Sequence, residues 1–279
     1  LGYSDGNLVQ HLLKEGVSAD DMLASGLAVK TGRGLVDFFV GRLVFPYWKS
    51  GSVVYMIGRQ TEHTPDEPWE KGKYKKLKTT DVVQNDSFYN EDAVKGATQI
   101  CITEGITDCI AAHQVGIACI SPATTQFRKE DQARLLHLVR NVNQVYICND
   151  NEKNESGMKG ALATADFLEG EGKTVFLVRL PRIDGVDKVD LCDYLKEHSY
   201  DDFERLMKQA HPLADVLLEQ IDPDVQKQRL PQALRPLFVR LAKSDEAAGL
   251  LFINHRVKEH FKLSSRDIEA LRKSYNDVL

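Results

Sequence analysis

Short apolar runs alternate with segments of helical periodicity through the middle of this chain. The apolar runs cover residues 100–102, 117–120, 144–148 and 174–178. The segments with apolar residues at helical spacing lie near residues 106–114, 129–139 and 157–169. Strands that alternate with helices are typical of a parallel sheet covered by helices on both faces. The pattern therefore predicts a doubly wound α/β domain over residues 96–205.

The chain before this domain has a different pattern. Helical spacing from Leu8 to Leu13 is followed by two strand-like runs, at residues 43–48 and 53–57, which flank the turn Lys49-Ser50-Gly51-Ser52. Two such runs joined by a short glycine-containing turn predict a β-hairpin. Residues 1–95 are therefore expected to form an α+β unit with an antiparallel sheet. The opening Leu1-Gly2-Tyr3 is neither a start methionine nor a signal peptide, so we expect this unit to be truncated at its start.

The last part of the chain is helical by its pattern. Beyond about residue 211, apolar residues such as Leu213, Val216 and Leu217 recur at helical spacing. Ser264 or Ser265 is a suitable N-cap for the last helix. Residues 206–279 are therefore predicted to form a helical subdomain.

Composition narrows the class of protein. The 279 residues carry a net charge of -5, with 42% apolar and 28% charged residues, as in ordinary globular proteins. No apolar run approaches the roughly 18 residues that span a membrane, so no membrane partner is expected. The five cysteines are odd in number and form no Cys-x-x-Cys pair, so we predict neither a disulfide framework nor a zinc site in this fragment. A reduced, cytoplasmic protein is expected.

Positive charge is concentrated in one segment. Residues 71–78 hold five lysines in eight positions, with Tyr74 among them. Such a segment is a local footprint for a phosphate backbone or a triphosphate. A solvated loop is the alternative explanation, because runs of charge usually are solvated.

Two acidic motifs directly follow apolar runs of the central domain. Glu104-Gly105-Ile106-Thr107-Asp108 follows the run at 100–103, and Asp150-Asn151-Glu152 follows the run at 145–148. Both motifs are therefore expected at the carboxyl ends of parallel strands, where α/β sheets bind ligands. Carboxylates at one rim raise one another's pKa unless a cation lies between them. The two motifs together predict a divalent metal site.

The same motifs resemble those of a known family. A strand-end Glu-Gly followed by Asp, then a strand-end Asp-x-Asp with a glycine opening the next helix, is the pattern of the toprim domain. Toprim domains occur in bacterial-type primases, topoisomerases and some nucleases. Here the pattern is carried by Glu104-Gly105, Asp108, Asp150-Asn151-Glu152 and Ser156-Gly157. The central domain is identified by this resemblance as a toprim, Rossmann-like parallel-sheet domain.

Features upstream of the toprim motifs are similar to a DnaG-type primase. They are Leu1-Gly2-Tyr3, the run Gly41-Arg42-Leu43-Val44-Phe45-Pro46, Gly58-Arg59, and Lys73-Tyr74. Their order and spacing resemble the amino-terminal subdomain of the primase RNA polymerase core, which topoisomerases and nucleases lack. The likeness covers roughly residues 1–210. It implies a DNA primase catalytic core that makes short RNA primers on single-stranded DNA by metal-dependent nucleotidyl transfer during replication.

The resemblance also implies roles for particular residues. The implied catalytic residues are Glu104, Asp108, Asp150 and Glu152. The implied ligands of Mg²⁺ or Mn²⁺ are Glu104, Asp150, Glu152 and Asp190. The residues implied to guide the template or the incoming nucleotide are Arg42, Arg59, Lys73 and Tyr74. The implied partners are single-stranded DNA, ribonucleoside triphosphates and, through domains outside this sequence, the replicative helicase.

The second acidic motif departs from the family pattern. Asp-x-Asp has become Asp150-Asn151-Glu152, and extra residues lengthen the path to Gly157. Either Glu152 or Glu155 takes the place of the second aspartate, and the sequence does not choose between them. Two alternative functions follow: a toprim nuclease that uses the same ions, and a degenerate toprim module that only binds nucleic acid or a helicase.

Overall fold

The fold is given by a computed structural model that describes residues 1–32, 34–153, 156–182 and 184–279. Contacts between residues divide the chain into two compact units, Leu1–Lys95 and Gly96–Leu279. Each unit is described by itself. The predicted boundary near residue 205, between a toprim and a helical subdomain, stays a prediction.

The first unit is built on an antiparallel sheet with strand order β1-β4-β5-β6 and on a separate hairpin, β2-β3. Its strands are β1 (Gly2–Ser4), β2 (Ala28–Thr31), β3 (Gly34–Asp37), β4 (Arg42–Lys49), β5 (Ser52–Gln60) and β6 (Tyr74–Lys76). Its helices are α1 (Leu8–Lys14) and α2 (Ala19–Ala24), with 3₁₀ turns at Pro68–Glu70 and Glu91–Val94.

The predicted hairpin is confirmed as β4 and β5. Ser50 and Gly51 form its two-residue turn with φ values of 53° and 80°, as expected for a type I′ turn, whose twist matches that of the strands. The Asp92 carboxylate accepts hydrogen bonds from the N–H groups of Ser50 at 2.9 Å and Gly51 at 3.2 Å. The turn is therefore held both by its own geometry and by an acid from the end of the unit.

The second unit contains a five-stranded sheet with order β13-β11-β9-β7-β8. Four strands run parallel, and β13 is an antiparallel edge. The strands are β7 (Gln99–Thr103), β8 (Cys119–Ile120), β9 (Gln144–Cys148), β11 (Thr174–Leu177) and β13 (His211–Pro212). A separate two-stranded ladder pairs β10 (Asn151–Glu152) with β12 (Lys188–Val189).

Helices connect the parallel strands as predicted. They are α3 (Ile106–Gln114), α4 (Gln132–Leu138) and α5 (Ser156–Gly170). The helix predicted near 129–139 starts as a 3₁₀ turn over Lys129–Asp131. The central strands β7 and β9 bury the apolar residues Ile100, Cys101, Ile102, Val145, Ile147 and Cys148, which is why their sequences are apolar runs. The α/β fold class with a parallel sheet after an antiparallel α+β unit is confirmed.

Helices complete the second unit. They are α6 (Leu191–Glu197), α7 (Tyr200–Lys208), α8 (Leu213–Glu219), α9 (Leu230–Ser244), α10 (Glu246–Phe252), α11 (Lys258–His260) and α12 (Ser265–Asn276). A π-helical turn at Ile253–Val257 joins α10 to α11. Ser264 is the N-cap of α12, in a capping box with Asp267. The expectation that the chain is all helix beyond 211 is wrong at its start, because His211–Pro212 pairs with the sheet edge.

Aliphatic and aromatic side chains from α8 to α12 form one apolar cluster around Leu234, Phe238, Ile253 and Tyr275. Within the described ranges, the chain has no helix that is both long and apolar enough to cross a membrane.

Candidate functional site

The first acidic motif lies where β7 ends and α3 begins. Glu104 follows the last strand residue, Thr103, and Asp108 lies in the first turn of α3, where it is only 4% exposed. A side chain at Gly105 would collide with the Asp108 carboxylate. The glycine of the Glu-Gly motif therefore makes room for the buried aspartate three residues later.

The second acidic motif follows β9. Asp150 lies two residues beyond the strand and is 7% exposed. A Cβ atom at Gly157 would overlap the backbone carbonyl oxygen of Asp150. The start of α5 thus packs directly on the backbone that carries Asp150, and only glycine allows this approach.

The Gly157→Ala substitution is expected to destabilise the chain by about 1–3 kcal/mol, because backbone atoms must move to accommodate the new methyl group. Urea denaturation measures this loss. Gly170→Ala, at the other end of α5, is the matched control, since a Cβ there meets nothing within 4 Å. The control should be neutral or slightly stabilising. Equal stability of the two variants would contradict the close approach at Asp150.

The β10-β12 ladder brings the second motif to a distant part of the chain. Glu152 lies opposite Lys188, and Asn151 lies opposite Val189. Side chains alternate along a strand, so the same register continued by one residue places Asp150 and Asp190 on the face of Glu152 and Lys188. Three carboxylates and one ammonium group therefore share one face.

Lys188 is a residue beside the second acidic motif that the sequence analysis did not single out. Its ammonium group forms an ion pair with the Asp150 carboxylate. Partial burial lowers the pKa of Lys188, but the bond to Asp150 and the charges of Glu104 and Glu152 outweigh this and raise it. The available signal was its spacing two residues before Asp190 in a short strand, which places both side chains on one face.

The buried acids influence one another electrostatically. Burial raises the pKa of Asp108 to about 7; a hydrogen bond from the Cys192 N–H at 2.9 Å opposes this shift, and the charges of Asp190 and Asp150 add to it. Burial also raises the pKa of Asp150, against the opposing effect of Lys188. Burial is thus the main cause of both raised pKa values, and the neighbouring carboxylates, which the sequence analysis expected to raise them, add to it.

The free energy of unfolding should depend on pH because the pKa of Asp108 is raised in the folded chain. Below pH 3.8, the ordinary pKa of Asp, the carboxyl is protonated in both the folded and the unfolded chain. Between about pH 4 and pH 7 the unfolded chain releases the proton and the folded chain keeps it, so stability falls as pH rises, by at most roughly 1.4 kcal/mol per pH unit. Above pH 7 this loss is complete.

The measurement is the free energy of unfolding of the wild type and of Asp108→Asn, in EDTA, across this pH range. Asn does not titrate, so the variant should gain stability relative to the wild type between pH 4 and pH 7. A difference that does not change with pH would contradict the raised pKa of Asp108.

Glu152 also contacts the start of α5. Its carboxylate accepts hydrogen bonds from the Ser156 hydroxyl and, at 3.3 Å, from the Gly157 N–H, so it closes the first turn of α5. Glu155, the alternative acid, lies outside the described residues. Among the residues that are described, no three His, Cys, Asp or Glu side chains are grouped closely enough to hold a metal ion.

Asp190 is both near the rim and a helix cap. It is the N-cap of α6, and its carboxylate accepts a hydrogen bond from the Asp193 N–H at 2.8 Å. The helix that Asp190 caps, α6, starts at Leu191. The assignment of Asp190 as a metal ligand stays a prediction.

In the first unit, the sheet register separates the basic residues predicted to bind nucleotide or template. Arg59 pairs directly with Tyr74 across β5 and β6, so these two side chains share a face. The Lys73 ammonium lies 5.8 Å from the centre of the Tyr74 ring. Arg42 is on the other face, because its neighbour Leu43 is the residue opposite Arg59. The structure therefore groups Arg59, Lys73 and Tyr74 and leaves Arg42 apart.

Arg42 is 1% exposed and fully engaged with its own unit. Its guanidinium donates to the Glu70 carboxylate at 3.2 Å and to the backbone oxygens of Glu70 at 2.5 Å, Gly58 at 3.3 Å and Gly72 at 3.4 Å. Its contact with a nucleotide or template stays a prediction. In the structure, Arg42 ties the 3₁₀ turn at Pro68–Glu70 to the sheet.

Comparison with known proteins agrees with this geometry. Residues 101–195 match a family model described as Toprim-like. A DNA primase from Clostridium acetobutylicum is 26% identical over 223 residues, which are 77% of this chain and 35% of that protein. The crystal structure of a DNA primase domain from Pseudomonas aeruginosa is 25% identical and superimposes with a TM-score of 0.64, over 97% of this chain and 84% of that one.

A further structure shares the fold. It is the RNA polymerase domain of the primase DnaG from Mycobacterium tuberculosis, in complex with a double-stranded DNA oligomer with a 6-nucleotide overhang. The TM-score is 0.70 at 22% identity, over 93% of this chain and 83% of that one.

The fold, the acidic motifs and the match to the family model show that the second unit contains a toprim-like domain. The chain is homologous to DnaG-type DNA primases and has the fold of their catalytic RNA polymerase domain. The toprim-like domain, the likeness to DnaG-type primases and the fold class implied by the sequence are thus confirmed. The chain spans 35% of the length of the curated primase it matches, so the activity of the whole enzyme is not established by this likeness.

Proposed function

We propose that the chain is the catalytic core of a DNA primase, which makes short RNA primers on single-stranded DNA by template-directed nucleotidyl transfer. The observation that carries the proposal is the acidic rim, in which burial raises the pKa of Asp108 and of Asp150 beside Glu104 and the β10-β12 ladder. The names of the homologous proteins support the same activity.

The residue types of the rim are those that bind a divalent cation, although the described carboxylates are not grouped closely enough in this structure to hold one. The rim already attracts positive charge, because the Lys188 ammonium forms an ion pair with Asp150 and the charges of Glu104 and Glu152 help to raise its pKa. Carboxylate oxygens without histidine or cysteine are the ligand set of Mg²⁺ or Mn²⁺. The residues that would hold the ions are Glu104, Asp150, Glu152 and Asp190. These ions would supply Lewis-acid chemistry for nucleotidyl transfer and would offset negative charge on the phosphates.

The side chains of the rim have their own tasks in this proposal. Glu104 positions the 3′-hydroxyl that attacks the incoming nucleotide. Asp108 accepts the N–H of Cys192 and so ties the start of α6 to the first turn of α3. This tie holds Asp190, the N-cap of α6, near the rim.

Binding of substrates falls to the basic residues of the first unit. Arg59, Lys73 and Tyr74 offer two positive charges and an aromatic ring to the template or to the triphosphate of the nucleotide. The DNA overhang recorded for the similar M. tuberculosis domain supports a single-stranded template. A helicase partner is a further prediction that follows only from the family.

A nuclease that uses the same rim is the second candidate, and a module that only binds nucleic acid is the third. The engagement of Glu152 with the start of α5 is the observation that favours the third. The test gives the purified chain Mg²⁺ or Mn²⁺ with a single-stranded template and ribonucleoside triphosphates, and separately with supercoiled plasmid. Primer synthesis supports the proposal. Nicking without synthesis favours the nuclease, and a chain that does neither and takes up no Mn²⁺ in calorimetry favours the binding module.

A further inference from the structure

The side chain of Trp69 is exposed to solvent, and the lysine-rich segment at residues 71–78 follows it in the sequence. Trp69 is 72% exposed in the 3₁₀ turn Pro68–Glu70. Isolated exposed apolar residues are common and by themselves indicate nothing. The features that distinguish Trp69 are the rigid anchoring of its turn and the charge that follows it.

The residue after Trp69 anchors the turn. The Glu70 carboxylate is buried between Arg42, which lies 3.1 Å away, and Lys75, which pairs with its other oxygen. Arg42 also holds the backbone oxygens of Glu70 and Gly72. These contacts fix the backbone on the carboxyl side of Trp69. A ligand that binds the Trp69 ring therefore does not incur the entropy cost of ordering a mobile loop.

The exposed charge after the turn is positive. Lys71, Lys73, Lys76 and Lys78 are all exposed, whereas Lys75 is neutralised by Glu70. The exposed acids nearby, Asp66 and Glu67, precede the turn. The Cα atoms of Trp69 and Lys71 are at most about 7.6 Å apart, since two peptide units separate them. The backbone thus carries an exposed aromatic residue and an exposed lysine within about the span of one nucleotide.

We propose that Trp69 and the lysines at 71 and 73 form a binding site for single-stranded nucleic acid, in which the indole ring stacks on an unpaired base and the lysines contact phosphates. Single strands bind to such surfaces because their base faces are open, whereas in a duplex these faces are already stacked. This site rests on the proposed primase function and identifies where part of the template is held. It lies in the loop between β5 and β6, outside the acidic rim.

The test measures binding of a fluorescein-labelled single-stranded oligodeoxythymidylate by anisotropy at several salt concentrations. Trp69→Ala should weaken binding about tenfold, the usual effect of removing a stacking aromatic. Trp69→Phe keeps a ring and should weaken it by less than about threefold. Trp48→Ala, which removes the chain's other tryptophan, itself 48% exposed, should leave binding unchanged.

An abasic oligonucleotide of the same length separates stacking from other effects. The wild type should bind it more weakly, and Trp69→Ala should bind it as the wild type does. The site is overturned if Trp69→Ala binds the base-bearing strand like the wild type, or if it loses equal affinity for the abasic strand, as a disturbed protein surface would. A wild type that binds neither strand overturns the proposed function together with this site. Unchanged melting temperatures of the variants confirm that each is folded.

Discussion

Asp150→Asn is expected to lower primer synthesis at least about 100-fold, the effect of removing one well-placed electrostatic group from a reaction that develops charge on phosphate. Asparagine has nearly the same shape but brings no negative charge to the rim. It should also weaken Mn²⁺ binding in calorimetry, which is a readout that does not depend on turnover.

The folded state should tolerate this change. Burial already raises the pKa of Asp150, so the structure favours a neutral side chain there. Its partner Lys188 is 44% exposed and keeps water contacts when the ion pair is lost. We therefore expect melting temperatures close to that of the wild type. Activity near the wild-type level in Asp150→Asn would remove this residue from the proposed site.

One further substitution tests the proposed active site, and another is its control. Glu104→Gln tests the other strand end and should lose primer synthesis to a similar degree, about 100-fold. Glu197→Gln, an exposed position at the end of α6, is the matched control for loss of one carboxylate and should keep full activity. Near wild-type synthesis by Glu104→Gln would show that Glu104 does not position the nucleophile.

Arg42→Met is expected to destabilise the chain by about 3 kcal/mol, because it removes one partner of a buried ion pair and the donor for three backbone oxygens. Glu70 would keep Lys75 and so escape complete isolation, which places the loss at the low end for broken buried pairs. Urea denaturation at neutral pH measures the effect. Methionine is chosen because it fills much of the space of the arginine stem.

Arg59→Met is the matched control on the same sheet. Arg59 is half-buried and faces Tyr74, so its loss should change stability by less than about 1 kcal/mol. If Arg42→Met is as stable as Arg59→Met, the buried network does not hold the Trp69 turn. If Arg42→Met unfolds easily while template binding per folded molecule is unchanged, Arg42 is a structural residue and not a contact to nucleic acid.

The central sheet was predictable from local pattern. The runs at 100–102 and 144–148 became β7 and β9 because strands buried on both faces need continuous apolar sequence. The acids that follow these apolar runs lie at the strand ends, because the buried strand ends where the apolar run ends. The shorter strand β8 and the late start of α4 were less predictable, since pairing and packing decide where an element ends.

The candidate site was predictable only in part. Glu104 and Asp108 are close in sequence, so one strand end places both. Lys188 reaches Asp150 across 38 positions through the β10-β12 register, and no local pattern contains that register. The capping contact of Glu152 depends on where α5 begins, which is equally a matter of the fold.

The sequence by itself determined the hairpin of the first unit, the alternation of parallel strands and helices in the central domain, the toprim motif and the acids at the strand ends, because period and composition act over a few residues. Only the tertiary structure decided which charges meet. In the folded chain Lys188 pairs with Asp150, Arg42 is buried in an ion pair with Glu70, and Trp69 is exposed to solvent. These outcomes depend on strand register and on the free-energy cost of removing charge from solvent.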